Sequence, residues 1–309
     1  MKMLLLGCNG FLGSRLLPML ERNGHEFMAP RSSELDLTMP PANLDAYGQP
    51  DVVVHAAAVY GGMPFDMENP AHIFTQNMKM NIHAFEIAAA LQARQIVTIG
   101  SACSYPGVTD HDLGENDLFT GPLHPSVECH GFTKLAMIAG NRAFFTSHGL
   151  SGIHLLPANL YGPGDVYQER RAHVAAALIK KFTDAVAAGT DVELLGDGHP
   201  VREFMYIDDL AEAVVKACET RVNGVELVNV GTGVGTSIAE LAALLAELTG
   251  FTGRIHWAGA ASNGAMRKVM RVERMRSLLG IAHSTGLREG LARTLDWYVP
   301  RKTLADARA

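Results

Sequence analysis

Ser101, His130 and Lys134 fall in one stretch, residues 96–134, and a hydroxyl, an imidazole and an amine can each hydrogen-bond a bound group. The apolar run Ile96-Val97-Thr98-Ile99 reads as a buried strand that delivers Gly100-Ser101-Ala102-Cys103-Ser104-Tyr105-Pro106 at its end. A loop follows, and Glu128-Cys129-His130-Gly131-Phe132-Thr133-Lys134 opens a helix. Residues four apart share a helical face, so His130 and Lys134 can converge with the Ser101 hydroxyl on one bound group.

The elements that must position this stretch begin at the N-terminus. Residues 1–6 read as a buried strand, and Gly7-Cys8-Asn9-Gly10-Phe11-Leu12-Gly13 leads into an amphipathic helix to about residue 23. Three glycines at that spacing, after a strand and before a helix, fit a dinucleotide-binding turn. The backbone can approach a pyrophosphate there, and the helix N-terminus favours its charge. A second strand near 26–29 is followed by Arg31-Ser32-Ser33, a cation with hydroxyls where a 2′-phosphate would be held, which favours NADP over NAD. A solvated surface arginine is the plain alternative. The strand 51–58 ends in Ala56, Ala57 and Ala58, small enough for a cofactor to lie against the backbone. A long helix over 70–93 carries Asn77 and Asn81, and a helix over 172–188 carries His173, Lys180 and Lys181. Strands alternating with helices specify an α/β fold: a Rossmann-like doubly wound parallel sheet with a smaller C-terminal substrate-binding domain. The expected division gives residues 1–156 plus about 200–230 to the dinucleotide, and about 157–199 plus 231–309 to the substrate.

The bulk numbers exclude several classes. With 48% hydrophobic and 19% charged residues over 309 positions, the chain has the composition of a soluble globular protein. A formal charge of −6 offers no reason to expect nucleic acid or an anionic membrane as partner, so anionic ligands must be met by local cations. The four cysteines, Cys8, Cys103, Cys129 and Cys218, are widely spaced, which suggests neither a disulfide framework nor a metal site. The opening apolar run gives way at Gly7 and Asn9, unlike a signal peptide, and no stretch has the length of a membrane span. The expected location is cytoplasmic.

The glycine turn, Gly100-Ser101-Ala102-Cys103-Ser104-Tyr105-Pro106, Asn159-Leu160-Tyr161-Gly162-Pro163, and Arg202-Glu203-Phe204 followed by Asp208-Asp209 resemble the GDP-L-fucose synthase family of extended short-chain dehydrogenase/reductases. The resemblance runs from Lys2 to about Val272. It implies epimerisation of a GDP-4-keto-6-deoxy sugar followed by reduction of its ketone with NADPH. Carried over by position, Ser101 would hydrogen-bond the substrate carbonyl and Lys134 would hold the nicotinamide ribose. Cys103 and His173 would be the base and acid of epimerisation. Asp36 and Leu37 would flank the adenine, with Asn159 and His173 also beside the cofactor. Arg202 would meet the nucleotide diphosphate, where a guanidinium fork suits phosphate oxygens, and Lys181 and Lys268 would be further substrate contacts. Asn77 would support the fold near the site, against the plainer reading of an asparagine on a helix surface. Homodimerisation through the helices over 70–93 and 130–148 is a further implication. The chemistry supports the epimerase roles: a C–H beside a hydrogen-bonded carbonyl is acidic, so a thiolate and an imidazole on opposite faces can exchange it. Cys103 needs a lowered pKa, which NADP⁺ or Lys134 nearby would help give it; the plainer reading of a free buried cysteine is inert packing.

One position departs from the family. His130 stands where the family has a tyrosine that protonates the reduced oxygen. A charged imidazole beside Lys134 would be disfavoured, so a neutral His130 is expected, a poor acid and a serviceable base. Three outcomes follow: an epimerase whose reduction is weakened or lost, a redox enzyme in which His130 takes over, or a non-catalytic NADP-binding or regulatory protein. Ser101, Cys103, Lys134, His173 and Arg202 together argue against the last.

Overall fold

The computed structural model describes residues 1–109, 111–260 and 265–307. In chain order, the first half holds β1 (Lys2–Leu6), α1 (Gly13–Arg22), β2 (Glu26–Met28), β3 (Val52–His55), α2 (Met63–Glu68), α3 (Pro70–Ala90), β4 (Gln95–Ile99) and α4 (Glu128–His148). Then come β5 (Ser151–Pro157), β6 (Asn159–Tyr161), α5 (Val174–Ala188), β7 (Val192–Leu194), β8 (Val201–Tyr206), α6 (Ile207–Glu219) and β9 (Val225–Val230). The rest is β10 (Gly235–Ser237), α7 (Ile238–Thr249), β11 (Ile255–Trp257), β12 (Arg267–Lys268), α8 (Glu273–Leu279), α9 (Leu287–Tyr298) and α10 (Lys302–Ala307).

Six strands form one parallel sheet in the order β2-β1-β3-β4-β5-β9. Every residue of β3, β4 and β5 is buried, because helices cover both faces of the sheet. Successive side chains alternate between those faces. Leu4, Leu6, Val53 and Ile96 pack with Met80, Ala84 and Phe85 of α3. Met3, Leu5, Val54 and Val97 pack with Leu16 of α1 and Leu210 and Val214 of α6. Each such aliphatic side chain contributes about 1.5–3 kcal/mol by leaving water. The chain steps outward from β1 to β2, then returns to lay β3, β4 and β5 on the other side. The strand order therefore reverses between β1 and β3, the place where such sheets open a ligand crevice at their C-terminal ends.

The smaller lobe has its own core, in which Ile179 and Phe182 of α5 meet Leu241 and Leu245 of α7 and Leu291 and Leu295 of α9. Its sheet is built on β8, which pairs with β6, β10 and β12, and β7 pairs with β11. Residues 201–206 thus join the smaller sheet, and the chain returns to the large sheet through α6 and β9. Two helix ends differ from the sequence reading. The α3 helix stops at Ala90, not near 93, because Gln92 turns into the left-handed region at φ 54° and Ala93 N–H closes onto Ala88 O at 2.9 Å. The α5 helix begins at Val174, and His173 precedes it in extended conformation (φ −71°, ψ 163°).

Candidate active site

The two lobes face each other across a cleft of about 1240 Å³. Every residue singled out from the sequence as a ligand or catalytic group lines it, with Gly13 as the exception. Gly13 works beneath the turn, where a Cβ would stand 2.1 Å from Gly7 O. Gly7 has φ +95°, and its Cβ would meet Ala57 N at 2.6 Å, so both conformation and the approach of the β3 end require glycine. Gly10 N–H closes the turn onto Gly7 O at 3.2 Å, and Ser14 N–H then bonds Gly10 O at 3.0 Å to start α1. Phe11 and Leu12 are buried behind this turn, and Ala56 and Ala57 wall it from the β3 side. The result is a bare backbone cradle at a helix N-terminus, which fits a dinucleotide diphosphate.

Arg31 lies exposed at the same end, its backbone N–H bonded to Glu34 Oε2 at 2.8 Å. The Asp36 carboxylate accepts from the N–H and the hydroxyl of Thr38, both at 2.8 Å, and these bonds hold its pKa below the usual value. Leu37 is buried beside it, its carbonyl bonded to His83 at 2.8 Å.

The strand end and the helix meet as the sequence requires. Ser101 Oγ accepts Cys103 N–H at 3.1 Å and so caps a short 3-10 turn, Ala102–Ser104. The start of α4 packs directly on that turn: a Cβ at Gly131 would lie 2.4 Å from Cys103 O. Lys134 is buried and donates to Ile99 O at 2.9 Å. Burial pushes its ammonium down to about 8. His130, one turn earlier, is 9% exposed, and its Nδ1 has no hydrogen-bond partner among the described residues. Burial first, then the charges of Lys134 and His173, push it down to about 3, so the imidazole is neutral.

Three cations, Lys134, Arg202 and Lys268, line the cleft together with the half-buried Cys103. Burial lowers the pKa of each. Arg202 and Lys268 are register partners on β8 and β12, and Lys268 Nζ reaches Ala102 O at 3.2 Å. Arg202 Nη1 turns back to Val201 O at 2.9 Å. Its neighbour Glu203 is buried and accepts backbone N–H groups of Thr232 (2.5 Å), Gly233 (2.8 Å) and Met270 (2.7 Å), fixing β8 in place. Asn159 Nδ2 bonds Glu203 O at 2.9 Å, and Lys181 on the rim bonds Glu193 O at 2.8 Å. The His173 ring stacks on Tyr60 with centroids 5.7 Å apart, and burial lowers its pKa.

The large sheet also holds a polar layer that the sequence did not announce. His55, Thr98 and His154 are register neighbours across β3, β4 and β5. Asn81 links His55 Nε2 at 3.0 Å to Thr133 O at 2.9 Å, and Thr98 Oγ1 meets His154 Nδ1 at 2.8 Å. Burial pushes His55 down to about 4 and His154 down to about 3. Asn77, far from being a helix-surface residue, is 2% exposed and clamps Val59 N–H at 2.7 Å and Val59 O at 2.8 Å. Tyr60 and Asp66 also line the cleft and were not singled out from the sequence; the adjacent Gly61-Gly62 pair was the available signal. Among the described residues, no His, Cys, Asp and Glu side chains gather as a metal-binding set, and no helix is long and apolar enough to cross a membrane.

A parallel sheet that reverses between β1 and β3, with a glycine cradle at the reversal, defines a Rossmann-like dinucleotide-binding fold. The chain belongs to the NAD dependent epimerase/dehydratase family, which matches residues 3–231. It is similar to a probable GDP-L-fucose synthase 1 of Oryza sativa subsp. japonica, with 35% identity over 304 residues that cover 96% of this chain and 92% of that one. Two solved structures show the same fold. A GDP-6-OMe-4-keto-L-xylo-heptose reductase from C. jejuni has a TM-score of 0.87 at 22% identity, over 97% of this chain and 98% of the other. A GDP-L-fucose synthetase from Naegleria fowleri bound to NADP has a TM-score of 0.85 at 21% identity, over 99% and 94%.

Proposed function

We propose that the protein is an NADP-linked epimerase/reductase of a GDP-linked 4-keto-6-deoxy sugar. The observation that carries this is the convergence of Ser101, Cys103, Lys134, His173, Arg202 and Lys268 on the cleft that also holds the glycine cradle. The likeness to a GDP-L-fucose synthase and to a GDP-keto-heptose reductase supports the substrate class, and the NADP-bound neighbour supports the cofactor. The six-stranded sheet with its covering helices, α6 included, belongs to a cofactor lobe, and β6, β7, β8, β10, β11 and β12 with α5, α7 and α9 to a substrate lobe.

Ser101 donates a hydrogen bond to the sugar carbonyl and so acidifies the adjacent C–H bonds. Cys103 and His173 exchange those protons, one removing, the other returning on the opposite face. Lys134, Arg202 and Lys268 share the cleft with Cys103 and supply positive charge there. Arg202, with Lys268 and Lys181, meets the nucleotide diphosphate, and Arg31 the 2′-phosphate of the cofactor. Lys134 holds the nicotinamide ribose. NADPH, when bound, supplies the hydride for the ketone. Exposed Phe74, Ile82 and Phe132 on α3 and α4, with Phe74 and Phe132 stacked at 6.2 Å, support pairing of two copies through these helices.

The neutral His130 favours a second reading, an epimerase with a weak reductase half. Mass spectrometry in D₂O with a GDP-4-keto-6-deoxy sugar, with and without NADPH, separates the two. Deuterium uptake with a reduced product is expected; uptake without NADPH consumption selects the second reading. Cys103→Ser should lower uptake by about 100-fold or more. Undiminished uptake in that variant would remove Cys103 from the mechanism.

A further inference from the structure

Reduction of a ketone places a hydride on carbon and a proton on oxygen, and the proton needs a donor inside the cleft. His130 is buried as the neutral imidazole, a weak acid. Two tyrosines line the cleft, Tyr60 and Tyr167. Tyr167 is fully buried, stacked on Tyr298 at 4.1 Å, and burial pushes its phenol far above the ordinary range. Tyr60 is only half-buried and lies on the loop after β3, beside the cofactor wall.

We propose that Tyr60, stacked on His173 in the cleft, is the phenolic proton donor for ketone reduction. The proposal rests on the reading of the protein as a keto-sugar reductase. Its support is positional. The Tyr60 ring lies nearly parallel to the His173 ring, at 13° and 5.7 Å, and both line the same cleft as His130, so the three rings belong to one site. The loop that carries Tyr60 is fastened on both sides. Asn77 clamps Val59, the preceding residue, through both its N–H and its C=O. The buried Asp66 carboxylate accepts Gly61 N–H. Across the cleft, Gly62 N–H bonds Arg171 O at 2.8 Å, and a Cβ at Gly62 would press on Ala172 O at 2.5 Å. Arg171 lies over the Phe65 ring at 5.1 Å and donates to Tyr60 O at 3.4 Å, while Arg170 pairs with Glu68 at 3.0 Å. A phenol held this way is pre-positioned against the segment that bears His173. In the step itself, the carbonyl carbon gains the hydride of reduced NADP. The C=O π pair moves to oxygen, and oxygen takes the Tyr60 hydroxyl proton. The phenolate left behind recovers a proton from water.

Tyr60→Phe keeps the ring on His173 and removes only the hydroxyl. Three quantities are measured on wild type and variant: NADPH affinity by fluorescence titration, deuterium exchange into the GDP-keto sugar without NADPH, and NADPH oxidation with that sugar. The expected result is a loss of NADPH oxidation of about 100-fold or more, with exchange and NADPH affinity within about twofold of wild type. Oxidation at the wild-type rate in Tyr60→Phe overturns the assignment. Joint loss of exchange and oxidation also overturns it, since the residue would then act by placing His173. A wild-type protein that exchanges deuterium but never oxidises NADPH overturns the Tyr60 role and leaves the epimerase reading standing. A wild type that does neither overturns both.

Discussion

Gly10→Ala should separate cofactor binding from folding, and the contrast with Gly7→Ala makes the test quantitative. At Gly10 a Cβ would meet only Gly7 O, at 3.4 Å, and the residue does not use positive φ. Stability should therefore change by no more than about 0.5 kcal/mol. The added methyl stands where the backbone has to approach a diphosphate, so the NADPH dissociation constant should rise about tenfold or more, equivalent to ~1.4 kcal/mol. Gly7 differs on both counts, with φ +95° and a Cβ 2.6 Å from Ala57 N, among backbone atoms that cannot swing aside. The conformation alone costs about 1–2 kcal/mol, and displacing β3's end brings the total to roughly 3 kcal/mol or more. At about 2–4 °C per kcal/mol, Gly7→Ala should melt some 6–12 °C lower as well as losing NADPH. Thermal melts without ligand and fluorescence titrations with NADPH read the two effects independently. If Gly10→Ala binds NADPH like wild type, the turn is not a diphosphate cradle and the cofactor site lies elsewhere.

Acid sensitivity follows from the buried histidines. His55, His130 and His154 are held at about 4, 3 and 3 in the native state and return to near 6.5 on unfolding. Between those values the unfolded chain binds the extra protons, so stability is lost as pH falls below about 6.5. Asp66, pushed up to about 7, acts in the opposite sense, because there the native state holds the proton. Three histidines less one carboxyl leave a net uptake of two protons from these groups; His173 adds to it, and Glu203 and Asp209 oppose it. Urea midpoints measured from pH 7 to pH 5 should fall by the equivalent of about 1–3 kcal/mol per pH unit, and a flat profile would mean that the histidines are not buried as described. Arg31→Ala should weaken NADPH about tenfold while leaving NADH unchanged, since it removes one charged contact to the 2′-phosphate. Equal loss for both nucleotides in parallel titrations would deny Arg31 that role.

The parts of the site that could be read from the sequence are those whose geometry is local. The Gly7-Gly10-Gly13 spacing works within a single turn, and His130 and Lys134 share a helical face whatever packs around them. The parallel sheet is read from the alternation of strands with helices along the chain. The remainder depends on pairing between distant segments. His55, Thr98 and His154 form a row only once β3, β4 and β5 are in register, and each alone is one polar residue in an apolar run. Asn81 acquires meaning only between His55 and Thr133, and Tyr60 only against His173, more than a hundred residues away in the chain. Helix periodicity placed His173 inside α5, but its extended backbone before the first turn is the conformation observed beside Tyr60.

Register also explains why Arg202 and Glu203 sit side by side. Successive residues of a strand point to opposite faces, so a slip of one position on β8 would exchange the two. Glu203 is locked by backbone donors from two segments, Thr232 and Gly233 on one side and Met270 on the other. Gly231 leaves room for this, since a Cβ there would stand 2.0 Å from Glu203 Oε1. With Glu203 fixed inward, Arg202 must face the cleft, and its register partner Lys268 is held beside it on β12, close enough to bond the backbone of Cys103's own turn. A buried carboxylate is costly unless its oxygens are satisfied, and here its bonds set the sheet alignment that brings Arg202 and Lys268 into the cleft with Cys103. The placing of Arg202 and Lys268 beside Cys103's turn is thus a property of the β8–β12 pairing.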